Sequence, residues 1–368
     1  MDFKIILLWS LFFLIGLEGL VRILYFLEGR LGWKPRFKVR IEKGFPKILA
    51  YHGHPYFLYT KRANMDGLYP SNNLGYAGKR VLTIDKPPGK IRVYCIGGST
   101  VEQNDPNQGP DSHWPAKLQD ILNKKLGREV IETINAGISG YTSAESLSEF
   151  IFRGQDLKPD FLLIYHNVND AWWAQMFEGF QSDYSHSRVA KPWDLSIWSR
   201  LPTIPFWYSY LVLRATMAFK FGRKDNGVIY RIGDPPWKAT EHFDSKRVEP
   251  FKRNTRNLIV TARAVGAEPI LLKWERDWSF QLKPMYVEGL EDSRIKEIHL
   301  QYLLANNQVL KDLAEEYGCS YHVLDPFDSE YFIRDGLHFN ARGLELMAGR
   351  VAKAIFPQIE KKSRKLAD

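Results

Sequence analysis

Near its carboxyl end the chain reads Arg334-Asp335-Gly336-Leu337-His338. An aspartate three residues before a histidine can fold back onto the imidazole Nδ1–H, fix the tautomer and stabilise the imidazolium. Such a histidine can take the proton of a serine hydroxyl. A serine suited to that exchange lies far upstream, in Gly97-Gly98-Ser99-Thr100. Two glycines before a serine at a strand-to-helix turn expose its hydroxyl and aim the turn's N–H groups at an oxyanion. Two more glycine- or asparagine-bearing turns offer donors: Asn135-Ala136-Gly137-Ile138-Ser139-Gly140, and Asn167-Val168-Asn169-Asp170. Taken singly, each fits a plain structural turn, and Gly-Gly-Ser also fits a phosphate-binding turn. Nucleotide binding is disfavoured, because the P-loop lysine and a full G-x-G-x-x-G are missing. His52 and His54 form a His-Gly-His with no acidic or cysteine partner at ligand spacing, so neither a metal nor another cofactor is expected.

Short apolar runs bounded by Gly, Pro or Asn predict buried strands at Ile91–Ile96, Val130–Ile134, Asp160–Tyr165, Pro269–Trp274 and Tyr321–Leu324. Helical spacing predicts helices at Pro115–Leu126, Ser143–Phe152, Phe251–Val265, Arg294–Tyr317 and Ala341–Ile355. Gly318 suits the end of the fourth helix and Asn340 the N-cap of the fifth. Alternation of this kind predicts an α/β fold, a five-stranded parallel sheet with helices on both faces in a three-layer α/β/α sandwich. All three turns then fall at the carboxyl ends of strands, where such sheets bind ligands.

In order, the four blocks are I-G-G-S-T, N-A-G-I-S-G, N-V-N-D and D-G-L-H-F-N. Together they resemble the SGNH hydrolases, the GDSL-like esterase/lipase superfamily. The resemblance covers roughly residues 90–357 and extends to P-D-F-L-L-I before the third block and A-R-G-L-E-L-M-A after the histidine. It implies Ser99 as nucleophile, His338 as general base and then acid, and Asp335 as the group orienting His338. It places the oxyanion between the N–H groups of Ser99 and Gly140 and the Asn169 side chain. Three functions stay open: an esterase acting on an O-acylated glycan or lipid, an O-acyltransferase passing the acyl group to a sugar hydroxyl, and a silent binding or assembly protein. The intact Ser99, Asp335 and His338 count against the last. Two departures stand out. Gly98 occupies a position where the family often has Asp, and Asn167 one where it has Gly. The side chain at 167 is expected to narrow the site or shift the Asn169 loop.

With 368 residues, 45% apolar and 25% charged, the chain is neither disordered nor a disulfide-stapled miniprotein. Cys95 and Cys319 each read as buried free thiols in strands. The net charge of +9 is uneven: residues 28–47 carry +5, residues 360–368 carry +2, and residues 48–359 only +2. The body is therefore not a nucleic-acid surface. Residues 3–27 predict an uncleaved membrane anchor, with a cleaved signal peptide (no A-x-A-like site follows) and a buried core helix as rival readings; Glu18 and Arg22 interrupt the segment and can pair across one turn. The positive-inside rule would keep the bulk in the cytoplasm, whereas many anchored relatives act outside it; the outer face is the expectation. Tyr51–Gly78, with Asn72-Asn73-Leu74-Gly75-Tyr76, resembles the region preceding the catalytic domain in membrane-anchored bacterial members. The expected plan is an anchor (1–27), a basic segment and collar (28–89), a hydrolase domain (90–357) and a basic tail (358–368). Within the hydrolase domain, residues 171–247 form an insertion holding six of the 11 tryptophans and a possible helix at Pro205–Phe221, read equally as a subdomain or as a lid.

Overall fold

The computed structural model describes residues 3–31, 50–175 apart from 55, 58, 68 and 106, then 180–184, 240, 242–277 and 292–366. The chain divides into two units, residues 1–42 with 190–232 and residues 43–189 with 233–368. Of the first unit the described part is one helix, α1 (Phe3–Leu31). Glu18 and Arg22 pair along it at 2.8 Å, limiting the uninterrupted apolar run to residues 5–17. Among the described residues no helix is long and apolar enough to cross a membrane. The spanning anchor expected at 1–27 is therefore not found among them. The basic block after residue 31 and the helix expected at Pro205–Phe221 lie outside the described residues.

The second unit opens with an antiparallel hairpin, β1 (Tyr51–Gly53) and β2 (Tyr59–Lys61). The central sheet follows as β3 (Ile91–Gly97), β4 (Ile131–Asn135), β5 (Phe161–Tyr165), β6 (Glu268–Leu272) and β7 (Ser320–His322). It is parallel throughout, in the order β4-β3-β5-β6-β7. β3 and β5 are buried along their whole length, as continuous apolar runs covered on both faces must be. The chain steps from β3 outward to β4 and returns on the other side at β5. That reversal makes the carboxyl ends of β3 and β5 a topological switch point.

Among the described residues the unit also holds helices α2 (Ser99–Glu102), α3 (Trp114–Leu126), α4 (Ser143–Glu149), α5 (Val168–Gln175), α6 (Glu249–Ala264), α7 (Asp292–Tyr317) and α8 (Ala341–Lys365). Strand side chains alternate between faces. Val93 and Cys95 thus join Leu118 and Leu122 of α3 and Met347 and Val351 of α8 in one core. Tyr94 and Ile96 join Leu258 and Ile259 of α6 in the other. α7 serves both, through Tyr302 and Leu303 in the first and Leu310 and Leu313 in the second. The three-layer sandwich is as expected.

Local chemistry sets the helix ends. The His113 imidazole accepts from Ala116 N–H at 3.1 Å and caps α3. Thr142 and Glu145 make a capping box on α4. Asn340 accepts from Gly343 N–H at 3.0 Å and caps α8, as its position predicted. Two ends differ from expectation. α4 stops at Glu149 and passes into a π-turn, Phe150–Gly154. α8 runs through Pro357 to Lys365 with Ile359 and Ser363 buried, so most of the expected tail at 358–368 is packed helix. Cys95 lies buried in β3, whereas Cys319 is half-buried just before β7; both are free thiols.

The segment before β3 is laid onto the sheet. Asn72 Oδ1 accepts from Leu74 N–H and Tyr76 N–H, each at 3.0 Å, and Ala77 N–H donates to Asn135 O at 3.1 Å. Arg92, wholly buried in β3, donates to the carbonyls of Thr83, Ile84 and Leu157 at 2.7–2.9 Å and pairs with Glu132. A buried guanidinium requires such full satisfaction.

Candidate active site

Ser99 follows β3 after one residue, Gly98, at the first position of α2. The turn is tight because Gly97 has no side chain: a Cβ there would lie 2.3 Å from Val101 Cγ2 and 2.6 Å from Tyr165 O. The histidine arrives on the loop between β7 and α8. That loop folds on itself, with Ile333 N–H to His338 O at 2.8 Å, Gly336 N–H to Ile333 O at 3.0 Å and Gly336 at φ +66°. Beneath it, Phe327, Phe332 and Phe339 pack at centroid distances of 4.8–6.1 Å.

Across 239 residues of sequence, His338 Nε2 lies 2.8 Å from Ser99 Oγ. His338 Nδ1 lies 2.6 Å from Asp335 Oδ2. Asp335 Oδ1 also accepts from Leu337 N–H at 2.8 Å and His338 N–H at 2.9 Å. Burial works against charge on Asp335, but the imidazole hydrogen bond and charge, with the two N–H groups, outweigh it and hold its carboxyl below the usual carboxylate range. An acceptor on Nδ1 leaves Nε2 free to receive a proton from the serine.

The other expected residues converge on the same turn. Asn169, in the first turn of α5, donates through Nδ2 to Tyr141 O at 2.7 Å. The same atom is where a Cβ on Gly98 would fall, at 2.5 Å. The absent aspartate of the first block is thus replaced by space that the Asn169 amide fills. Gly140 has φ +83°, a left-handed value favouring glycine, and a Cβ there would meet Tyr59 Oη at 2.7 Å.

Asn167 does not narrow the site, which corrects the expectation. Its side chain is buried and turned to α7: Nδ2 donates to Leu303 O at 2.8 Å and Asn307 Oδ1 at 3.0 Å. His54 stacks on Phe57 at 3.6 Å. Among the described residues no group of His, Cys, Asp and Glu is placed to hold a metal.

Two residues of the site escape a reading by motif. Gln103, just after α2, accepts from Phe339 N–H at 3.0 Å, and its amide donates to Phe339 O. It clamps the histidine loop to the serine's helix. Glu102 beside it binds the segment preceding Gly140. No spacing rule links Gln103 to a partner 236 positions away.

A search of curated proteins finds no match to this chain. Similar solved structures include a lipase/acylhydrolase from Enterococcus faecalis, 15% identical over 73% of this chain and 96% of that one, with TM-score 0.41. Another is an acetyl xylan esterase from Geobacillus stearothermophilus, 16% identical over 73% and 96%, with TM-score 0.39. Residues 95–346, which include all four blocks, match the GDSL-like Lipase/Acylhydrolase family, and the chain belongs to that family of ester-hydrolysing enzymes.

Proposed function

We propose that the protein is a serine esterase that removes an O-acyl group from a glycan or lipid through an acyl-enzyme on Ser99. The observation that carries this is the continuous chain Ser99 Oγ, His338 and Asp335, at 2.8 and 2.6 Å. In the first step Ser99 Oγ bonds to the ester carbonyl carbon while His338 Nε2 takes its proton. The carbonyl oxygen becomes an oxyanion facing the N–H groups of Ser99 and Gly140 and the Asn169 amide, each donor worth ~3 kcal/mol in the transition state. Collapse breaks the bond to the alkoxy oxygen, which leaves with the proton held by His338. Water then attacks the acyl-enzyme by the same route, restoring Ser99. Asp335, kept ionised, holds the ring orientation and offsets the imidazolium charge in both halves.

A fluorophosphonate probe tests the proposal. Labelling of the full-length protein is expected, with Ser99→Ala unlabelled and His338→Ala slowed by about 10³-fold or more; a folded protein that does not label would overturn the reading. Incubating acylated substrate with and without a glycan acceptor distinguishes hydrolysis from transfer, since an acylated acceptor would appear only in the second case.

We also propose that the protein attaches to a membrane through α1 and that Ser99 acts on the outer face. Support comes from side chains at successive positions Leu11 to Ile15, all exposed and apolar, so that over this stretch α1 presents apolar groups on every side. Sedimentation of the full chain with membranes at neutral pH is expected; a folded full chain that stays in the supernatant would sink the attachment. A reporter fused after Asp368 reads the side.

A further inference from the structure

Glu102 closes α2, three residues after Ser99, and the proposed chemistry does not use it. Glu102 is 4% exposed, yet donors reach both of its carboxylate oxygens. Lys61 Nζ lies 2.8 Å from Oε1, to which the Tyr51 hydroxyl also donates. Ser139 donates to Oε2 through its N–H at 2.6 Å and its hydroxyl at 2.5 Å. Lys61 itself is 3% exposed, on β2. Lysine is almost never this buried unless paired, and a buried pair holds only when every remaining polar site is satisfied. Here the hairpin binds one carboxylate oxygen and Ser139 the other.

Ser139 immediately precedes Gly140. The hairpin grips the same segment twice more. Tyr59 Oη donates to Ser139 O at 2.5 Å, and the Tyr141 hydroxyl donates to Tyr59 O. From the opposite side Asn169 donates to Tyr141 O at 2.7 Å. Residues 139–141 are therefore fixed between the serine's helix, the β1–β2 hairpin and the start of α5. Turning either charge of the buried pair into an unpaired one would release Ser139 and, with it, the neighbouring N–H.

We propose that Lys61 and Glu102 are positioning residues for the oxyanion site, so that the amino-terminal hairpin is a working part of the active site. The proposal rests on the reading of Gly140 and Asn169 as oxyanion donors. It assigns no contact with substrate to either residue. It requires the loss to appear where charge develops and not where substrate binds.

The test uses the full chain with p-nitrophenyl acetate as substrate, phenylboronic acid as transition-state mimic and fluorophosphonate titration to count live Ser99. Glu102→Gln, which places an amide N–H against Lys61 or Ser139, is expected to lower kcat per titrated site by about 10- to 100-fold with KM within about 2-fold. Boronate affinity should fall by a similar factor. Lys61→Arg, which keeps the charge, should retain most activity, and Tyr59→Phe, which removes one hydroxyl and leaves the ion pair, should lose several-fold in kcat. These two milder variants decide the matter if Glu102→Gln does not fold. Unchanged kcat and boronate affinity per live site in Glu102→Gln, or in Tyr59→Phe if only that folds, would overturn the inference and leave the esterase reading standing. A wild-type protein that neither labels nor hydrolyses would instead bring down the esterase reading, and this inference with it.

Discussion

At the scale of single residues, the site turns on atoms that are absent. Gly98 lets the Asn169 amide lie where a Cβ would be, 2.5 Å from Nδ2. The obstructing atom is the end of a flexible side chain, so Gly98→Ala is expected to leave the melting temperature nearly unchanged while displacing Asn169. The expected outcome is a fall in kcat of about 10-fold or more, up to the 10²–10³-fold of losing a donor outright. Equal kcat in the two proteins would show that Asn169 does not act from this position. The residue types that do chemistry were legible in sequence because hydroxyl, imidazole and carboxamide carry their roles with them. Their neighbours were not. Asn167 looked like an intrusion because the sequence shows a side chain but not its direction; the structure turns it towards α7.

Among elements, α2 has four residues and organises the site beyond its size. Its first residue is the proposed nucleophile, its last binds Ser139, and the next, Gln103, holds both backbone groups of Phe339. Gln103→Leu is expected to free the histidine loop, lowering kcat and fluorophosphonate labelling together by about 10-fold, at roughly 1 kcal/mol per lost hydrogen bond in stability. Labelling at the wild-type rate would show that the phenylalanine cluster alone holds the loop. Strand and helix order was readable from apolar periodicity, since a parallel sheet buries both faces of its strands. The end of α8 was misread for a physical reason: Pro357 and a run of basic residues look like a stop, yet Lys362 reaches the buried Asp160 at 3.1 Å and Ile359 stays in the core. A charge run can be solvated on one side and packed on the other.

For the whole molecule, buried histidines set the response to acid. Burial lowers His113, His166 and His299 to about 3 each, from the ordinary histidine value of 6.5. Between those values the unfolded chain binds protons that the folded chain refuses, so stability rises with pH across that window. Each histidine contributes about 1.4 kcal/mol per pH unit there. Two acids act in the opposite sense. Burial raises Asp170 to about 7, against the hydrogen bonds from Ser143 and Tyr184, and burial also raises Glu149. Asp335, held low, sides with the histidines once the pH reaches the carboxylate range. The net expectation is a denaturation midpoint that falls as pH drops from 6.5 towards 5, with a shallower fall in His299→Gln. A midpoint that rises on acidification would contradict the neutral assignment of these rings.

The 239 residues between Ser99 and His338 have a consequence in time. A ribosome adding about 5–20 residues per second needs about 12–48 s to travel from one to the other. Through that interval the emerging chain carries a serine with no base beside it. On the proposed mechanism it lacks its general base until the loop before α8 has been made.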